Sequence, residues 1–437
     1  MAASVAGQSG GGKTPLRRVV MASLIGTTIE WYDFFLYGSA AALVFNKLFF
    51  PEFDPLTGTL LAFATYALGF VARPVGGIVF GHYGDRIGRK RLLMLSLILM
   101  GVATVLIGLL PTYAAIGIWA PILLVVLRLV QGFAVGGEWG GAVLLAAEHG
   151  DAARRGFWAS WPQAGVPAGL VLASAVLALL ASFQSEADFL AWGWRVPFLL
   201  SAGLVIVGWW IRTAVDESHT FEAAMEGAEA PPKVPALDVL RERPRAMAVG
   251  AGLRVGENIS YYIITVFSIT YMTEMAGLSR SQALNAILVG SLVHFFTIPA
   301  AAWLSDRVGR RPVYALGGFG LALFAFAFFP MLASGNFAAV IGAVGIALVL
   351  HGAMYGPQAA FISELFPTRI RYSGVSIAYQ LTSIVAGSLA PIIALALYQR
   401  TGSATPVAIY VAVACAISGI TALLARETRG IELSSIR

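Results

Sequence analysis

The feature that most constrains this chain is the recurrence of mostly apolar stretches of 18 or more residues along almost all of its 437 residues. A bilayer core of roughly 30 Å is crossed by about 20 residues of helix at 1.5 Å each. Twelve stretches are long enough, at about 19–45, 57–80, 92–110, 117–147, 156–181, 193–213, 245–273, 281–304, 313–332, 337–362, 373–398 and 405–425. Only 12% of residues are charged and 58% are hydrophobic, a composition foreign to soluble domains. The expected fold class is an all-α membrane protein with twelve transmembrane helices, and the lipid bilayer is its first partner. The single cysteine, Cys415, excludes an internal disulfide or a cysteine metal cluster.

Charge sets the orientation. Of the 29 Lys and Arg residues, 22 fall in connections on one side of the spans, four (Lys47, Arg195, Arg280, Arg400) fall on the other, and Arg73, Arg128 and Arg254 lie within spans. Positive residues mark the cytoplasmic side, so both termini are expected there. The Gly- and Ser-rich residues 1–16 read as a disordered cytoplasmic tail without a signal-peptide core. The net charge of +6 is spread over many connections rather than gathered on one face, so nucleic acid is not an expected partner.

One connection is long. Residues 214–244 are charged and Pro-rich and read as a cytoplasmic linker between six-span bundles at 17–213 and 245–426, with 427–437 as a cytoplasmic tail. The halves echo each other: Asp85-Arg86-x-Gly88-Arg89 recurs as Asp306-Arg307-x-Gly309-Arg310, and Glu148 with Arg154 and Arg155 as Glu364 with Arg369 and Arg371. Duplicated six-span halves are a pattern of secondary transporters.

The segments EWYDFFLYG, FVARPVGG, GHYGDRIGRKR, QGFAVGGEWGG, WGWRVPF and ELFPTRIRYSG occur together and in order. They are similar to those of the metabolite:proton symporter family within the major facilitator superfamily, whose members carry shikimate, 2-oxoglutarate, citrate, and proline or betaine. The resemblance spans residues 17–430. It implies two six-helix bundles, a central cavity and alternating access in a bacterial inner membrane.

A carboxylic acid within a span costs about 2.5 to 3.5 kcal/mol on insertion scales, so Asp33 needs a purpose. Glu30 and Tyr37 lie within about 60° of it on the helix and are expected to share a wet, cavity-lining face. Asp33 is the preferred proton carrier, with Glu30 next. Arg128, Gln131 and Glu138 share an arc of about 80° on the fourth span. Arg128 needs an anion, and Asp33 is the nearest-depth carboxylate; the resemblance supports that pairing. Protonation of Asp33 would then free Arg128 for a substrate carboxylate. The alternative is a structural staple between the first and fourth helices. The glycines of GFAVGGEWGG read as close helix packing.

In the second half, Arg254, Glu257, Asn258 and Tyr261 share one face of the seventh span, as an anion or polyol site or as a structural Arg254–Glu257 pair. Further cavity candidates are Trp161, Gln163, Tyr355, Gln358, Tyr379 and Gln380. His294 reads as a lone histidine that hydrogen-bonds between helices, with a proton relay as the other reading. Arg73 is expected to snorkel toward the cytoplasmic layer. There, Gly81, Asp85, Arg86, Gly88 and Arg89, with Glu138, Glu148, Arg155, Asp306, Arg310, Glu364 and Arg369, form an expected gate that caps helix ends and latches the bundles.

No nucleophile, metal or phosphate-loop constellation is present, so enzymatic chemistry, a metal and a cofactor are not expected. The driving force would be a proton gradient. Intramembrane arginines suit a small organic acid of the shikimate type as substrate. A zwitterionic osmolyte such as proline or betaine is the alternative. A drug:proton exporter is disfavoured because the fifth span, WPQAGVPAGLVLAS, departs from the Gly-Pro-x-x-Gly-Gly pattern of such antiporters. The chain is expected to work as a monomer.

Overall fold

The structure is a computed structural model that describes residues 15–53, 55–213 and 235–436. Residues 1–14 of the expected 1–16 tail and most of the 214–244 linker lie outside the described residues, and Leu16 already belongs to the first helix. The described part of that linker contains a short helix, Pro235–Glu242.

Among the described residues, twelve long helices follow. They are α1 (Leu16–Ala40, wound on through Ala41–Phe45), α2 (Pro55–Ile87), α3 (Arg89–Leu109), α4 (Trp119–His149), α5 (Arg155–Phe183) and α6 (Arg195–Thr213), then α7 (Pro244–Tyr262, wound on to Met275), α8 (Arg280–Val308), α9 (Arg310–Leu332), α10 (Phe337–Ser363), α11 (Arg371–Ser383, wound on to Thr401) and α12 (Thr405–Leu424). In lipid every backbone donor needs an internal partner, and a helix supplies it. Among the described residues, nine helical segments are individually long and apolar enough to cross a membrane, and Glu186–Gly193 with Arg195–Ile211, bent by 48°, makes a tenth. α5 and α7 complete the twelve. The polar face of α7 lowers its hydropathy, so length alone identifies it.

One sequence expectation changes. GHYGDRIGRKR was expected to be a connecting loop, yet α2 runs to Ile87 and α3 starts at Arg89. Only Gly88 separates them, at φ 103° and ψ 153°, and Gly309 separates α8 from α9 at φ 113° and ψ 154°. That region of backbone space is open to glycine and strained for other residues, which explains the glycine at each equivalent point.

Within the first bundle α1 packs along α5 and α2 along α4; within the second, α8 packs along α10 and α9 along α12. The α2–α4 contact is backbone to backbone. A Cβ on Gly132 would fall on Gly69, and one on Gly136 would fall on the Arg73 carbonyl and Gly77. Small residues thus serve close helix approach. Leu323, Phe296, Trp210 and Ile392 are exposed, the outward apolar surface a bilayer solvates. The bundles meet mainly along α2 with α11 and α5 with α8.

Candidate functional site

Asp33 is buried at mid-length in α1, but it does not face the space between the bundles. One carboxylate oxygen accepts from Ser201 Oγ on α6 at 2.6 Å, and the other stands 2.8 Å from Thr104 Oγ1 on α3. Asp33 therefore lies inside the first bundle. Tyr37 turns toward α2, where its hydroxyl meets Thr65 at 2.7 Å. Glu30 is buried as well. The expectation of one cavity face for Glu30, Asp33 and Tyr37 is corrected: Trp31 is the α1 residue that reaches the central space. A helix wheel places residues on a common arc but not against a common neighbour.

The expected Asp33–Arg128 ion pair is also absent. Thr104 Oγ1 accepts from Gln131 Nε2 at 2.7 Å, and Gln131 Oε1 accepts from Arg128 Nη1 at 3.2 Å. Gln131 thus belongs to this relay rather than to the cavity wall. The Arg128 guanidinium is boxed by the rings of Tyr37 at 4.3 Å, Tyr66 at 4.9 Å and Phe34 at 5.3 Å.

Arg73 does not snorkel. It is buried over Phe70 at 4.4 Å and Phe34 at 4.6 Å, and the Phe70 ring meets Tyr262 of the other bundle with centroids 5.8 Å apart. Among the described residues no carboxylate lies within ion-pair distance of Arg73 or Arg128. Two cations thus flank the Phe34 ring without a counter-ion.

In the second bundle Arg254 pairs with Glu257 one turn along α7, and its guanidinium lies 3.6 Å over the Tyr379 ring. The other face of that ring stacks on Trp139 of α4, with centroids 3.6 Å apart and planes 18° apart. His351 on α10 stands 3.2 Å from Glu257 Oε1 and 2.9 Å from His294 on α8. His294 is therefore not a lone histidine. Gln358 Nε2 donates to the Tyr314 hydroxyl at 3.1 Å and to Glu257 at 3.4 Å, so it props the cluster rather than lining a cavity.

Between the bundles lies a space of about 10 Å³, edged by Trp31 and Val166 on one side and by Arg254, Glu257, Asn258, Tyr261, Tyr262, His351, Tyr355 and Tyr379 on the other. That volume holds about one water. A solute therefore requires the bundles to part. Asn258 Oδ1 and the Tyr261 hydroxyl are buried without hydrogen-bond partners among the described residues, so they are polar groups aimed at this space. Three other expected liners hold the interface or pack elsewhere. Gln380 donates to the Gly136 carbonyl at 3.0 Å, Gln163 donates to the Tyr355 and Gly356 carbonyls, and Trp161 packs on Phe157 and Phe295.

The cytoplasmic face is shut by two equivalent latches. Asp85 at the end of α2 accepts from the backbone N–H groups of Tyr372 at 3.0 Å and Ser373 at 2.8 Å, at the start of α11. Asp306 at the end of α8 accepts from Gly156 at 2.9 Å and Phe157 at 2.8 Å, at the start of α5. Each acid meets the positive end of a helix in the opposite bundle. Glu148 pairs with Arg89 and with Arg371 at 2.8 Å, while Glu364 pairs with Arg310 at 3.3 Å and with Arg155 at 3.0 Å. Gly81 belongs to the latch because a Cβ there would approach the Ser373 backbone to 2.8 Å.

Three expected gate residues behave otherwise. Glu138 lies within α4 and accepts from Ser96 of α3 at 2.6 Å, inside one bundle. Arg369 pairs with Glu242 at the surface, and Arg86 lies 3.3 Å from His82 on its own helix.

Sequence reading missed Thr104, Ser201, Tyr66, Tyr262 and His351. A hydroxyl or a lone histidine in an apolar span is a weak signal by itself. It gains meaning only beside the acid or base it meets.

The family described as "Sugar (and other) transporter" matches residues 19–236 and 220–437, and the chain belongs to that family of transporters. It is 45% identical to the shikimate transporter of Escherichia coli (strain K12), covering 94% of this chain and 95% of that one. It is 42% identical to the inner membrane metabolite transport protein YhjE of the same organism, covering 94% of each. Identity to the E. coli proline/betaine transporter is 34%, over 94% of this chain and 84% of that one. The proton:xylose symporter XylE bound to 6-bromo-6-deoxy-D-glucose superposes with a TM-score of 0.77 at 17% identity, covering 96% of this chain and 98% of that one. The inward-open form of XylE gives 0.64 at 16% identity over 97% and 99%. The two-bundle major facilitator fold expected from sequence is the one observed.

Proposed function

We propose that this transporter imports a small carboxylate solute of the shikimate type together with protons, by alternating access in the cell's inner membrane. One observation carries this reading: Arg73 and Arg128 are buried around Phe34 with no carboxylate partner among the described residues. A buried unpaired guanidinium is expensive, and a carboxylate is its natural bidentate partner. Arg254, one face on Tyr379 and its charge answered by Glu257, supplies a third anchor from the opposite bundle. Asn258, Tyr261 and Tyr355 offer amide and phenol groups suited to ring hydroxyls. Asp33 is the proposed proton carrier, and its link to Arg128 through Thr104 and Gln131 is the proposed coupling path. The proton gradient does the work, no cofactor is required, and one chain suffices. The relatives named for shikimate and for metabolite transport support this reading.

The test is uptake by proteoliposomes of labelled shikimate, 2-oxoglutarate, citrate and glycine betaine, with and without an inward proton gradient. Gradient-dependent accumulation of a carboxylate is expected. Uptake indifferent to the gradient removes the symport reading, and accumulation of betaine alone removes the organic-acid reading. The aromatic groups Trp31, Phe34 and Tyr261, which could box a quaternary ammonium, give that second outcome its physical basis.

A further inference from the structure

The second bundle holds a group of titratable side chains that the Asp33 path does not use. His351 Nε2 lies 3.1 Å from the Glu257 backbone carbonyl and 3.2 Å from its carboxylate. Both are acceptors, so Nε2 carries the hydrogen. In the neutral pair His351 Nδ1 is then a bare lone pair, and His294 Nε2, 2.9 Å away, donates to it. This assignment follows from the hydrogen-bond pattern. It leaves His294 Nδ1 as a ring nitrogen with no hydrogen-bond partner among the described residues. Both rings are buried, and His351 borders the central space.

We propose that the His351–His294 pair is a second proton-binding site, whose occupancy decides whether the Arg254–Glu257 cluster accepts a carboxylate. This rests on the symport reading above. With both imidazoles neutral, Arg254 and Glu257 cancel and the cluster carries no net charge. One proton, transferred from a hydronium ion in the opened central space and leaving water behind, makes the cluster singly positive. A bound carboxylate restores neutrality. Each ligand favours the other by the same factor, as linkage requires. The remaining titratable groups facing the cluster are Tyr261 and Tyr262 of α7, Tyr314 of α9, Tyr355 of α10 and Tyr379 of α11, with the Cys415 thiol of α12, which donates to the Gly256 carbonyl. Phenols titrate near 10 in water, well above the range tested.

The experiment uses the full chain in liposomes at equal internal and external pH, from 5 to 8.5, with exchange of labelled shikimate followed. In an Asp33→Asn background the shikimate KM is expected to rise about tenfold per pH unit on the alkaline side, as one coupled proton demands. Adding His351→Gln, which keeps a donor toward Glu257, is expected to flatten that slope. Adding His294→Gln is expected to do the same, and it guards against a folding defect peculiar to the first variant. An unchanged slope in both overturns the proposal. If betaine is exchanged and shikimate is not, the organic-acid reading fails, and the same slopes measured with betaine decide this one. A substrate-free arm uses 15N-labelled histidine. Two Nε2–H rings at pH 8.5 that yield one imidazolium by pH 4.5 support the pair, and two rings neutral throughout overturn it.

Discussion

Asp33 and Arg128 occupy one buried interior without touching, because Thr104 and Gln131 stand between them, 2.8 Å from the carboxylate and 3.2 Å from the guanidinium. The Thr104 hydroxyl has one proton and two acceptors, Asp33 Oδ2 and the Met100 carbonyl at 2.9 Å. An ionised Asp33 draws it one way, and a protonated Asp33 releases it to the other. Asp33→Asn is therefore expected to lower accumulation against a gradient at least tenfold while solute exchange persists. Tracer uptake with and without a proton gradient measures both, and an accumulation ratio equal to the parent's moves the carrier role to Glu30.

Thr104→Val keeps the shape of the side chain and removes the relay. Asp33 and Gln131 each lose a buried partner, at about 1 to 3 kcal/mol apiece. The accumulation ratio should fall at least tenfold, and Thr104→Ser should restore it. A Val variant that concentrates solute like the parent would falsify the relay.

Arg73→Gln and Arg128→Gln should each raise the KM for a carboxylate solute by a hundredfold or more, the equivalent of about 2.8 kcal/mol at about 1.4 kcal/mol per tenfold. Lysine in either place keeps the charge but loses the planar fork, so an intermediate KM is expected. Initial-rate kinetics decide. A Lys variant with the parent's KM would mean that fork geometry does not matter, and a Gln variant with the parent's KM would remove the anion site.

Glu148→Gln strands Arg89 and Arg371, both fully buried. Removing one partner of a buried pair costs about 3 to 5 kcal/mol. The cytoplasmic face should spend more time open, read as a longer distance between spin labels on α5 and α8. Glu364→Gln should do the same through Arg155 and Arg310. A label distance unmoved in both variants would show that the latch is not what holds this face shut.

Glu427, just beyond α12, is half-buried, and burial alone would raise its pKa. The backbone N–H groups of Arg310, Arg311, Thr428 and Arg429 outweigh burial and hold it below its usual value of 4.5. A carboxyl held low stabilises the folded state above its unfolded pKa, and that stability drains as pH falls through the folded value. Protease protection of the last ten residues should therefore be flat from pH 8 to 5 and fall below about 4.5. Glu427→Gln should lower it at every pH, and a fall beginning near pH 6 would assign the effect to another group.

The sequence by itself determined the class. Apolar length set the twelve helices, the distribution of Lys and Arg set the orientation, and the Asp85 and Asp306 repeats set the two-bundle plan. These readings need only local chemistry and the thickness of a bilayer. Asp33 and Arg128 could be singled out because an ion in lipid is costly wherever it points. What they touch was decided by tertiary structure. A helical wheel fixes angles within one helix, but the rotation of each helix against its neighbours follows from close approaches such as Gly132 on Gly69. That rotation put Asp33 against α3 and α6, drew Arg73 into the aromatic layer, kept Glu138 inside its bundle, and brought His351 to His294 across 57 residues of chain.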